Sequence, residues 1–137
     1  MTPPERVLVV EDQAALRGML SIMFTRRGWH VTGVETGQAA LDLADGSFDV
    51  VVLDLGLADV NGLEVCRRLR ASPQTSGVPI IMLTGRDDPR DVRDGLAAGA
   101  DDFVTKPFEL TRLMATVDRL LEQKHREVER KARTRTA

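Results

Sequence analysis

The chain of 137 residues is long enough for one domain with a well-formed core, and a single domain is expected. Its 42% hydrophobic and 29% charged residues exclude only the unusual classes, such as collagen-like, disulfide-scaffold and disordered chains. The net charge of -2 is unevenly placed, because residues 121–137 carry six Lys/Arg against three Glu, leaving the acidic excess to the rest of the chain.

No apolar run approaches the roughly 20 residues needed to span a bilayer. The opening "MTPPERVLVVED" has no basic segment followed by an apolar stretch of the kind that directs export. A single cysteine, Cys66, has no disulfide partner and no CxxC neighbour. Together these point to a cytoplasmic protein in a reducing compartment.

Five short β-rich apolar runs alternate with segments of helical period. The first strand, "RVLVV", leads into Glu11 and Asp12. Leu16, Met19, Leu20 and Met23 then follow the i, i+3, i+4, i+7 rule, and Gly28 closes that helix. "WHVTGV" is the second strand, and a helix after it ends at Asp45-Gly46. The third strand, "DVVVL", delivers Asp54, and the next helix carries "LEVCRRL", where Cys66 reads as a small core residue, before Ser72-Pro73. "VPIIML" runs into Thr84, with Asp88-Pro89 as N-cap and first turn of the fourth helix and Gly99 at its end. "DDFVT" leads into Lys106-Pro107, and Leu110, Leu113, Met114 and Val117 give the last helix one apolar face.

Several runs are apolar without alternation, so both faces of the strands are expected to be covered. In an alternating β/α chain that means a parallel, doubly wound sheet. Such sheets carry functional groups outside the carboxyl ends of the strands, where the strand order reverses. Glu11, Asp12 and Asp54, the hydroxyl of Thr84 and the ammonium of Lys106 are therefore expected at one edge.

Three crowded carboxylates repel, and one takes up a proton unless a cation keeps them ionised. Oxygen-only ligands favour a hard ion, and partly hydrated, octahedral Mg²⁺ suits so sparse a set better than caged Ca²⁺. A metal on one side, with Lys106 and Thr84 opposite, suits a phosphoryl group. Asp54 is then the candidate nucleophile, since a carboxylate can carry an acyl phosphate. Singly, each residue has a plainer role: Asp12 before "QAALRGML" as a helix cap, Lys106 as a solvated charge, Thr84-Gly85 as the end of a strand. Their joint placement on four strand ends is what argues for a site.

"VLVVED", "VVLDLGLADVNGLEV", "IIMLTG" and "AGADDFVTKPFEL" resemble the response-regulator receiver domain of two-component signalling, over about residues 5–122. The resemblance implies a flavodoxin-like fold of strand order 2-1-3-4-5, with a receiver domain over residues 1–122 and a basic helical extension or disordered tail over 123–137. It implies a phosphoacceptor at Asp54, charged by a sensor histidine kinase or phosphotransfer protein. Asp12 would bind Mg²⁺ directly and Glu11 mainly through water, with the Gly56 carbonyl completing the protein's share. Thr84 and Lys106 would hold the phosphoryl oxygens, the Lys106-Pro107 bond would be cis, and Phe103 would be the aromatic switch. Output would leave through the face of the fourth helix, fifth strand and fifth helix, toward an output protein or output domain. The domain would catalyse only its own phosphorylation and dephosphorylation.

Several positions depart from that pattern. Ala58 stands where many receivers have proline, and Gly85 where an alanine is common. Gly56 and Arg86 occupy positions that tune self-dephosphorylation, and glycine has no side chain to orient water. Thr116 and Asp118 replace arginines usual in the winged-helix class, which weakens the case for that class's dimer, although a phosphorylation-dependent homodimer stays open.

Other readings fit less well. A haloacid-dehalogenase-type phosphohydrolase wants an Asp where Gly56 stands. A flavin-binding module wants aromatics near the site, and Trp29 lies at the start of the second strand. A pseudo-receiver that only binds partners would lack an acidic or switch residue, and none is missing. His30 and His125 read as incidental, and nucleic-acid binding by the short basic tail is not expected.

Overall fold

The computed structural model describes residues 4–85 and 89–136. Arg86 and the expected cap Asp88 lie outside the described residues. The elements run β1 (Arg6–Val10), α1 (Ala14–Arg26), β2 (His30–Val34), α2 (Gly37–Leu43), β3 (Val50–Asp54), α3 (Gly62–Ala71), β4 (Ile80–Thr84), α4 (Pro89–Ala98), β5 (Asp102–Thr105) and α5 (Leu110–Thr136). The five strands pair in parallel in the order β2-β1-β3-β4-β5. This is the doubly wound, flavodoxin-like order.

Successive strand residues point to opposite faces, which divides the core in two. Leu8, Val51, Leu53 and Met82 pack toward Val65 and Leu69 of α3, with Ala40 of α2 and Ala98 of α4 in the same cluster. Val7, Val9, Val52 and Ile81 meet Leu20 and Phe24 of α1 and the α5 residues Leu113 and Val117. Every residue of β3 and β4 is buried, which explains why those runs do not alternate. Cys66 is one of these core residues, its thiol 3.5 Å from the Ala98 carbonyl.

α1 packs on the sheet through Leu16, Leu20 and Met23 of its expected stripe, joined by Phe24, while Met19 is left out. Leu20 and Phe24 are fully buried, whereas Met19 is 44% exposed. The ring of Phe24 also stacks on Trp29, with centroids 5.7 Å apart.

Left-handed glycines end two helices. Gly28 has φ 82° and Gly99 φ 112°, values that cost little only without a Cβ. Gly99 is required twice over, since a Cβ there would lie 2.6 Å from Arg70 Cγ. Arg70 closes the end of α3 over this turn. Its Nε donates to the Gly99 carbonyl (2.8 Å), its Nη1 to those of Ser76 (3.2 Å) and Val78 (2.5 Å), and its Nη2 to the Asp101 carboxylate (2.8 Å). The same Asp101 oxygen accepts the Ile80 amide at 2.8 Å.

α5 is one helix of 27 residues. Its apolar stripe ends at Leu120 and Leu121, both buried. Beyond them Lys124 faces Asp49 at 3.7 Å and His125 faces Glu5 at 3.1 Å, at the amino-terminal edge of the sheet.

Arg70→Met keeps the stem and removes every donor, leaving part-buried carbonyls unpaired. The variant should lose about 1–3 kcal/mol of stability, read from urea unfolding followed by the fluorescence of Trp29.

Candidate functional site

The strand order reverses at β1, which pairs β2 on one side and β3 on the other, all in parallel. Crossovers diverge at that point and leave a crevice at the carboxyl ends of the strands. Glu11 follows β1 directly, and its amide still donates to the Val34 carbonyl (3.0 Å), so it is carried on the sheet. Asp54 is the last residue of β3, and Thr84 the last of β4. Lys106 follows β5 and is tied to the same edge by its amide, 2.6 Å from the Thr84 carbonyl. The Lys106-Pro107 peptide is cis.

These side chains meet. Lys106 Nζ donates to Glu11 Oε1 at 2.7 Å and to Asp54 Oδ2 at 3.2 Å. Asp54 Oδ1 accepts the Gly56 amide at 3.1 Å. Glu11 is fully buried and Asp54 only 5% exposed. Ligand oxygens of Glu11, Asp12 and Asp54 all lie within 4.8 Å of one another. Asp12 does not cap α1: the N-cap is Gln13, whose side chain makes no capping bond.

The electrostatics follow from this crowding. Burial, then the hydrogen bond shared with Asp54, pushes the Glu11 carboxyl up to about 7. Burial acts to raise Asp54 too, but it is outweighed by hydrogen bonds from Glu11 and the Gly56 amide and by the charge of Lys106, so Asp54 is held below the usual aspartate value. Within the pair, a proton is thus favoured on Glu11 over Asp54. Burial acts against the charge on Lys106, and its two carboxylate partners overcome it and raise its pKa. An all-oxygen set of three carboxylates, one of them prone to hold a proton, fits a hard divalent cation.

The loop after Asp54 is stiffened without proline at position 58. Asp59 accepts the amides of Gly37 (2.8 Å) and Gln38 (3.0 Å), so a residue of this loop caps the first turn of α2. Asn61 caps α3 through the Leu63 amide at 2.8 Å. Gly62 lies so close that a Cβ would stand 2.5 Å from the Asp54 carbonyl oxygen and 2.8 Å from Leu55 Cα. Both neighbours are backbone and cannot step aside.

A cleft of about 580 Å³ opens above the cluster. Asp12, Asp54, Gly56, Thr84 and Lys106 line it, together with Asn61 and Asp91. The last two escape sequence reasoning, although Asn61-Gly62 before an apolar helical run is a legible start signal. Phe103 is outside the cleft, packed on the core with Leu55 and Leu63. It shares with Thr84, Met82 and Leu96 a gap too narrow for a ligand, about 10 Å³. Trp29 precedes β2 at the opposite end of the sheet.

The family model of the response regulator receiver domain matches residues 7–118. The chain belongs to that family. Among curated relatives of this receiver, the DNA-binding response regulator MtrA of Mycobacterium bovis is 44% identical over 117 residues, which are 85% of this chain and 50% of MtrA. The receiver spans about half the length of the curated relatives it matches. Among solved structures, the BeF3-activated DrrB receiver domain superposes with a TM-score of 0.80 at 35% identity, covering 88% of this chain and 99% of DrrB's. The receiver domain of the sensor histidine kinase PA1611 from Pseudomonas aeruginosa PAO1, solved with a magnesium ion coordinated in its active-site cleft, gives a TM-score of 0.79 at 28% identity over 88% and 99% of the two chains.

Hydrogen bonds from the amides of Gln38 and Gly37 at the start of α2, and of Val60 in its own loop, hold the Asp59 pKa below the usual aspartate value. A carboxylate whose folded pKa is lowered stabilises the fold above its unfolded pKa, and that stability is lost as pH falls through the folded value. Asp59→Ala should therefore unfold at lower urea concentration than the native protein at pH 7. The gap should narrow below about pH 4 and close once Asp59 is protonated.

Proposed function

We propose that this receiver takes a phosphoryl group from a phosphohistidine donor onto Asp54 and relays the event through the face formed by α4, β5 and α5. The observation that carries the reading is the pairing at Asp54, where Lys106 stands beside one oxygen and the Gly56 amide holds the other. A carboxylate so placed is ionised, oriented and open to the cleft. Its oxygen attacks phosphorus, the bond from phosphorus to the donor nitrogen breaks, and the imidazole leaves with the electron pair. Lys106 and the Thr84 hydroxyl are placed to meet the phosphoryl oxygens at the edge where β4 and β5 end.

Glu11, Asp12, Asp54 and the Gly56 carbonyl would hold Mg²⁺, which supplies charge neutralisation for the carboxylates and the incoming phosphoryl group. Asp12 supports this assignment, because its carboxylate lies beside two buried carboxylates and accepts no hydrogen bond from the described residues. Thr84 drawn toward phosphate would vacate room in the gap it shares with Phe103. Packed interfaces of this kind have discrete alternatives, so a short movement there can reset α4.

The partners proposed are a sensor histidine kinase or phosphotransfer protein upstream and an output protein or output domain downstream. The unit proposed is a receiver over residues 1–122, with 123–137 as a basic extension of α5. Among the described residues no helix is long and apolar enough to cross a membrane, and the setting proposed is the cytoplasm, where such kinases deliver phosphate.

Acetyl phosphate with MgCl2 should add one phosphoryl group, read by intact mass. Asp54→Asn should abolish labelling, and Lys106→Ala should slow it about 10²-fold. Persistent labelling of the Asn variant would place the acceptor elsewhere.

Gly56 offers no side chain to orient an attacking water. Gly56→Asn should therefore shorten the lifetime of the phosphorylated protein, measured as loss of added mass after the donor is removed. An unchanged or longer lifetime would remove that role for position 56.

A further inference from the structure

Glu11, Asp12 and Gln13 belong to neither β1 nor α1. Neither the sheet ladder nor the helix fixes the carbonyls of Glu11 and Asp12. One side chain does so: Arg17 Nη1 donates to the Glu11 carbonyl at 2.8 Å and lies 3.5 Å from that of Asp12. Arg17 stands in the first turn of α1, and its side chain turns back toward the amino-terminal end, as helical side chains do. With the Glu11 amide held by Val34, the backbone around Glu11 is gripped from both sides.

The path of Arg17 depends on a second residue. Gly33, on the edge strand β2, carries no Cβ, and one placed there would stand 3.2 Å from Arg17 Cγ and 3.3 Å from Cδ. The arginine stem therefore lies across bare backbone on its way to the loop. Nothing about the strand's own conformation requires glycine at this position, since no positive φ is recorded there.

We propose that Arg17 is a positioning residue for the cation site, and that Gly33, conformationally spare in its strand, leaves open the path along which Arg17 reaches the Glu11-Asp12 backbone. This rests on the proposed cation site. Glu11 has side-chain partners of its own in Lys106 and the Gln13 amide, 3.4 Å from Oε2. Asp12 has none among the described residues. Its aim is set by the backbone from which it projects, and Arg17 holds that backbone.

The test is a titration of the full chain with MgCl2, followed by the amide resonances of Asp12 and Gly56, with urea unfolding by Trp29 fluorescence alongside. Arg17→Leu keeps an apolar stem and loses the donors. It should raise the Mg²⁺ concentration for half-saturation about tenfold, the usual scale for losing a group that orients a ligand. Gly33→Val suits a strand at least as well as glycine, so stability should hold while Mg²⁺ binding weakens by a similar factor. The double variant should be no weaker than Arg17→Leu alone, because both changes remove one interaction. Arg17→Lys, which restores a cationic donor, should recover part of the affinity.

Half-saturation unchanged in Arg17→Leu, or in Gly33→Val should Arg17→Leu fail to fold, overturns the proposal, and so does strict additivity. Labelling separates this result from the wider reading. A native chain that binds Mg²⁺ but takes no phosphoryl group from acetyl phosphate sinks the phosphoacceptor reading and leaves Arg17 in place. Normal labelling with an unaltered Mg²⁺ requirement in the variants sinks the role of Arg17 alone.

Discussion

The pairing of Lys106 with Glu11 and Asp54 is the interaction on which the rest of this molecule depends. Two carboxylates at the ends of fully apolar strands would each carry a large desolvation cost, and a single ammonium from a third strand offsets it. That ammonium reaches them only because β5, separated from β1 by β3 and β4, ends at the same edge of the sheet. Removing one member leaves the others buried and uncompensated. Sheet order and site charge are thus one constraint seen from two directions.

The loop that follows Asp54 shows how the fold can reach rigidity by more than one route. A proline would stiffen position 58 through its own ring. Here the same segment is held by reciprocal use of helix ends, with Asp59 satisfying amides of α2 and Asn61 satisfying one of α3. Gly62 lets the start of α3 sit against the backbone of Asp54 and Leu55. The acceptor loop is consequently coupled to two helices, and its geometry depends on the packing of both.

The strands and the edge residues were legible because burial writes itself into composition. A strand covered on both faces has little choice but Val, Ile and Leu, and a carboxylate or ammonium at the end of such a run stands out. Phe24 was less legible, since the period of α1 admits Met19 as readily, and its stack on Trp29 lies across a turn. Asp59, Arg17 and Arg70 were not legible at all. Each acts through long or polar side chains on backbone groups 5 to 29 residues away in sequence, and such contacts leave no periodic trace. Gly33 was hidden for the converse reason: its role is to be absent from a path, and only coordinates reveal the path.

The closure of Arg70 over the Gly99 turn also constrains how the neighbouring helix can travel. Its guanidinium grips the carbonyl that follows α4 and, through Val78 and Asp101, the strands on either side of that turn. The carboxyl end of α4 is thereby a fulcrum. Ten residues of helix make an arm of about 15 Å, so a reorientation of α4 that keeps these contacts is a swing about its carboxyl end. The turn nearest the cleft, which carries Asp91, is the end of that arm farthest from Gly99, so a swing about the Gly99 turn displaces it most.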